Sequence, residues 1–272
     1  MNSRVGILWI RLGRRIAIMV VTIAVLYGAG WLLSPLEQRA WQPELVGWPT
    51  LKASETRALT EQGVLLGLVG GLRALTANII WLQSSLSWEE HDIAATDRGM
   101  QLALIVDSRP FLNWRNAAMI MAFDIPHWRI AELSATLPNR DQLVREIRHV
   151  QGARALALLE RGKVYHPNNC ELYALAALIH HQVLDDEERA ASIYGYASTL
   201  PNAPYYLARI RGELLREMGK YDEAYAWYRA VYESLPNGDP AAQKHIVLQR
   251  LRSLETVLNL PEYKRLPKQQ GQ

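Results

Sequence analysis

The chain has 272 residues, 49% apolar and 21% charged, enough for a folded core in one sizeable domain or two small ones. A formal net charge of +3 without any run of lysine or arginine excludes a nucleic-acid footprint, and the single cysteine, Cys170, excludes an internal disulfide and a cysteine-based metal knuckle. The aromatic residues, 12 Tyr and 9 Trp against 2 Phe, favour places where a ring also needs a polar tip.

Residues 1–15 carry Arg4, Arg11, Arg14 and Arg15 and are expected to form a cytoplasmic N-terminus. Residues 16–33, IAIMVVTIAVLYGAGWLL, contain no charge and at helical rise nearly cross a ~30 Å hydrocarbon layer, so they predict a transmembrane anchor. A cleaved signal peptide is the competing reading, but YGAGWLLSP makes a poor cleavage site. The four preceding arginines orient the anchor, with membrane lipid around it and the rest of the chain outside the cytosol. Ala24 and Gly28 form a small-xxx-small pair suited to packing against another membrane helix. Residues 34–63, with Pro35, Pro43 and Pro49 beside Trp41 and Trp48, read as a juxtamembrane linker. Residues 64–77 are apolar and glycine-rich. The wider apolar stretch 64–82 contains Arg73, Thr76 and Asn78, so the segment is expected to be buried or membrane-apposed rather than a second span. Gly67, Gly70 and Gly71 are no phosphate loop, because no GK[ST] follows them.

From residue 78 the sequence is periodic. Prolines close successive segments at Pro167, Pro201 and Pro236, and GKYDEAYAWYRAVYESLP places Gly219 in a turn, with Ala224, Tyr228 and Pro236 in an A-x3-aromatic…Pro pattern. The segment before it repeats the arrangement with Tyr173, Ala176, Ala177 and His180 in its first helix and Ala190 and Tyr194 in its second. The segment ending at Pro167 offers Trp114, Ala117, Ala118 and Met121, then an insertion about 124–146 expected on a loop edge. A weaker helix pair precedes Pro110, giving four units over 78–236. Small residues let the two helices of a unit approach; the large aromatic fills the space between units, and stacking buries what one unit cannot. Asp239-Pro240 predicts a capped final helix over 237–260 with an apolar stripe of Val247, Leu251, Leu254 and Leu258, followed by a flexible tail, 261–272.

These residues, 78 to about 258, resemble the tetratricopeptide repeat superfamily, and the whole arrangement resembles bacterial membrane-anchored periplasmic proteins of that type. Arg211 and Ala208 stand where the pattern has Leu and Trp, and Ser84 and Ser85 stand where the first unit would have its small pair. The expected fold is therefore all-α: an N-terminal transmembrane helix, a tetratricopeptide-like solenoid and a C-terminal capping helix. The resemblance implies a concave groove that binds peptides or partner proteins, and its groove positions fall on Arg115, His181, Tyr206, Arg209, Glu213 and Arg216. Arg209, Glu213 and Arg216 also share one helix face, where an internal Glu–Arg pair is the plainer reading. With Tyr206, Arg209 and Arg216 would suit an acidic segment or a C-terminal carboxylate.

No catalytic motif, cofactor fingerprint or metal-ligand spacing stands out. WEEHD, residues 88–92, reads as a solvated helix end, and His180-His181 are adjacent rather than one helical turn apart. The expected function is a non-enzymatic, cofactor-free, membrane-anchored scaffold that binds protein partners and supports a multiprotein envelope complex. The alternative is an accessory subunit of a membrane complex held mainly by its transmembrane segment.

Overall fold

The computed structural model describes residues 72–267, together with Val21 and Gly28. It divides into two compact units, 1–117 and 118–272. Every regular element among the described residues is helical.

In the first unit, α1 (Arg73–Glu89) packs on α2 (Ile93–Val106) around Ala77, Ile80, Leu102, Ala103 and Val106. The crossing is close because both sides are small. A Cβ on Gly99 would stand 2.8 Å from Ser84 Cβ, and the Ser84 hydroxyl donates to the Thr96 carbonyl at 2.9 Å. The serine that breaks the expected small pair thus serves the same end. WEEHD is the turn between the helices. His91 takes a left-handed conformation (φ 58°), its N–H donates to the Trp88 carbonyl, and the Asp92 N–H donates to the Ser87 carbonyl, which closes α1. Asp92 then caps α2, its carboxylate accepting from the Ala95 N–H at 2.9 Å. At the other end the Arg73 guanidinium donates to the Val106 carbonyl. The helix α3 (Phe111–Met119) straddles the division between units, with Trp114 buried and its indole N–H donating to the Ser108 carbonyl at 2.8 Å.

In the second unit the chain passes through a π-helical turn, Ile120–Asp124, into α4 (Ile125–Ala131). Pro126 sits in the first turn of α4, where its missing N–H costs least, and the π turn adjusts the register ahead of it. A long α5 (Arg140–Tyr165) follows. The insertion expected on a loop edge, about 124–146, is mostly helix, and its irregular backbone is confined to the connection between α4 and α5. Then come α6 (Cys170–Gln182), α7 (Glu187–Ala197), α8 (Tyr206–Glu217) and α9 (Tyr221–Ser234), each packed on the next. The small and aromatic positions are inside: Ala176, Ala177, Ala190, Tyr194, Ala224 and Tyr228 are all buried. The α8–α9 turn is closed by Gly219 at φ +74°, whose N–H donates to the Arg216 carbonyl while the Lys220 N–H reaches Leu215.

The C-terminal part departs from expectation in two ways. Asp239 does act as a cap, but of a single 3-10 turn, Pro240–Ala242. Gln243, in a left-handed conformation, breaks the chain there and α10 (Lys244–Val257) begins afresh. The stretch expected to be a flexible tail is packed as far as Pro267. Leu266 is buried, and its N–H donates to Glu255 at 2.7 Å while Arg252 donates to its carbonyl at 2.7 Å.

The expected transmembrane helix is corrected. No helix among the described residues is long and apolar enough to cross a membrane. Residues 16–33 lie outside the described residues except for Val21 and Gly28, as do Ala24, the linker 34–63 and the segment 64–71. Ala24 is not described, so the Ala24–Gly28 packing pair lies outside what the structure describes. Where the second apolar stretch is described, it forms α1, whose inner face of Ala77, Ile80 and Ser84 is buried.

Candidate functional site: an arginine cluster around Glu213

The helix α8 carries four of the sequence-predicted groove residues, Tyr206, Arg209, Glu213 and Arg216, and the fold gives the last three partners. Glu213 is the hub. Its carboxylate accepts from the Arg216 guanidinium at 2.8 Å one turn later, pairs with Arg250 of α10 at 2.6 Å, and accepts from the Tyr228 hydroxyl of α9 at 2.8 Å. The same hydroxyl lies 3.2 Å from the Arg209 carbonyl. Arg209 reaches the other way, donating to the Ala242 carbonyl at 3.1 Å at the end of the 3-10 turn. Three helices, α8, α9 and α10, thus converge on a single carboxylate.

Burial alone would raise the Glu213 pKa, but the hydrogen bonds from Tyr228 and Arg216 and the charge of Arg250 outweigh it and hold the carboxyl below its ordinary value. Burial is also the main reason that the Tyr228 phenol is pushed far above its usual range, and the ionised Glu213 beside it adds to that. A depressed carboxylate contributes stability that is complete above its unfolded pKa and is lost as pH falls through the folded value. The urea midpoint of the protein is therefore expected to drop on acidification through the lower carboxylate range, and Glu213→Gln is expected to flatten that part of the curve. An unaltered slope in the variant would show that the pair does not couple to folding.

The other predicted groove residues are not drawn into this cluster. Tyr206 is largely exposed at the start of α8, and His181 is half-buried on α6 with its Nδ1 atom enclosed and unpartnered. Arg115 is half-buried on α3 in the first unit. The neighbouring His180 is buried, which lowers its pKa, and its Nδ1 lies 3.5 Å from an Asp186 carboxylate oxygen.

Arg250 was missed by sequence reasoning although a signal existed: it stands 34 residues after Arg216, the same place one repeat later. Arg211 was noted only as a departure from the pattern. It lies with its guanidinium 4.1 Å over the Trp227 ring, and Trp227 donates its indole N–H to the Ala208 carbonyl at 2.7 Å. The two unexpected residues of α8 are thus matched by a tryptophan supplied from α9. Beside Trp227 opens a cleft of ≈ 310 Å³ lined by Tyr205, Ala208, Val231 and Leu235, with Ser198 and Ser234 as polar edges.

Among the described residues the arrangement is all-helical and repeat-like, with an arginine cluster between α8 and α10. Comparison of the chain with protein-family models, with curated proteins and with solved structures found no match to any of them.

Proposed function

We propose that the protein is a non-catalytic scaffold of tetratricopeptide type, in which the face built by α8 and α10 binds an acidic segment of a protein partner and so supports assembly of a multiprotein complex. The observation that carries this reading is the position of Arg216 and Arg250. Each is tied to Glu213 by one edge of its guanidinium, and each keeps over a third of its side chain in solvent. Glu213 fixes the two arginines from below and leaves their remaining N–H donors for a carboxylate from outside, the planar two-point geometry that arginine favours. Tyr228 holds the Glu213 carboxylate from α9, and Arg209 ties α8 to the turn before α10 through the Ala242 carbonyl.

Titration of the protein with a labelled acidic peptide, against the same peptide with each Asp and Glu amidated, tests this. Binding is expected to fall by at least about tenfold in the Arg216→Ala, Arg250→Ala double variant, the loss of roughly one charge-assisted hydrogen bond. Arg229→Ala, on α9 and paired with Glu233, should leave binding unchanged. Equal binding of both peptides, or equal loss in both variants, would overturn the reading.

A further inference from the structure

Residues 261–267 lie against α9 and α10 and are held there mainly by their backbone. Of these residues only Leu266 is buried, in the apolar cluster that also holds Val247, Leu251 and Leu254, while Tyr263 is 84% exposed. Arg252 and Glu255, one turn apart on α10 and paired at 2.8 Å, offer that leucine one donor and one acceptor. Glu255 accepts from the Leu266 N–H at 2.7 Å, and Arg252 donates to the Leu266 carbonyl at 2.7 Å and to the Pro267 carbonyl at 3.4 Å. The Tyr225 hydroxyl of α9 donates to the Lys264 carbonyl at 3.1 Å. Sequence prepares the fit, because a residue before proline is restricted to extended backbone, so Leu266 is biased toward the form that the pair on α10 meets.

The arrangement has the parts of a peptide site: an apolar socket for one side chain, with main-chain groups paired on either side of it. The intervening side chains are spare. Arg265 donates back to the Leu260 carbonyl at 2.7 Å and Lys264 lies 6.0 Å from the Tyr263 ring, so both act within the segment itself. Ordering the backbone costs conformational entropy at every residue, and one buried leucine with a few hydrogen bonds offsets little of it, which puts the segment among the parts of a fold that open locally. Once it is open, Tyr225, Arg252 and Glu255 remain on their helices with these main-chain partners gone.

We infer that this socket is a binding site for an extended Leu-Pro segment of a partner protein, and that residues 261–267 are the resident competitor which such a segment displaces. The partner's chemistry follows from what the site contacts: a leucine to fill the socket, a proline after it to keep the backbone extended, and no fixed side chain at the positions before it. Arg252 and Glu255 take no part in the arginine cluster around Glu213, so the two sites stand or fall separately.

The probe is a labelled, end-blocked peptide of residues 260–267, LPEYKRLP, titrated against the full chain. Leu266→Asp is expected to release the resident segment at unchanged helical circular dichroism and to bind the peptide. The wild-type chain is expected to bind it at least about tenfold more weakly, because its own segment occupies the site most of the time. The same peptide with aspartate in place of its Leu266 should lose at least about tenfold in affinity for the variant. Leu266→Ala, a milder release, guards against a core disturbed by the aspartate, and its affinity is expected to lie between those of wild type and Leu266→Asp. No binding to either variant at native helical content, equal binding of the two peptides, or equal affinity of wild-type and variant chains would overturn the proposal. So would a wild-type dimer that Leu266→Asp dissociates, which would assign the socket to the same segment of a second copy.

Discussion

Replacing Tyr228 with alanine is expected to cost about 3–5 kcal/mol in urea unfolding, the range for removing a large aromatic from a core. Its ring is 1% exposed and fills the space between α8, α9 and α10, among Leu215, Ala224, Val247 and Leu251. The ring also rests on Gly212: a Cβ there would stand 2.3 Å from the Tyr228 ring. Gly212→Ala alone is therefore expected to destabilise by about 1–3 kcal/mol through overpacking. In the Tyr228→Ala background the same change should turn favourable by about 0.5–1 kcal/mol, because the clash is gone and alanine is the better helix former. The reversal of sign is the diagnostic result. Simple addition of the two single effects would mean that the glycine is not there to admit the ring.

The second large effect concerns Glu255, a buried carboxylate on α10 with no place in an apolar stripe. It accepts from Arg252 at 2.8 Å and from the Leu266 N–H at 2.7 Å, with the Tyr225 hydroxyl at 3.4 Å. Glu255→Ala leaves these donors facing an apolar pocket and is expected to cost about 1.5–3 kcal/mol. It should also free residues 262–267 from α10, so limited proteolysis ought to cut there first. Leu266→Ala tests the same docking from the apolar side, since Leu266 packs on the same cluster. Unchanged protease protection in both variants would rule out a structural role for the segment.

Much of the helical framework was legible because its signals are local and periodic. Ala177, Ala190 and Tyr194, or Gly212, Ala224 and Tyr228, recur at fixed offsets between prolines, and packing of adjacent helices needs those sizes in those places. The helices within the insertion were not legible because Pro126 signals a break, whereas in the first turn of α4 it lets the helical path continue beyond the π turn. The C-terminal docking was invisible because it depends on one carboxylate accepting from a single backbone N–H 11 residues away. Of the candidate site, the sequence placed Arg209, Glu213 and Arg216 on one face but not Arg250, which joins them only when α10 packs beside α8. The expected membrane helix fell on residues outside those described, and hydropathy alone had suggested it.

Arg211 has one further consequence. Its guanidinium lies where a Cβ on Gly195 of α7 would stand, on one side, and over Trp227 of α9 on the other, and burial lowers its pKa. Glycine, arginine and tryptophan come from three consecutive helices of two neighbouring units, and each is suitable only in the company of the other two. A side chain in place of Gly195 would displace the Arg211 guanidinium from this place. The units are therefore not interchangeable bricks. At this joint the match between neighbours is written in side-chain chemistry, and a duplicated or shuffled unit would lose that match even where its helices still stacked.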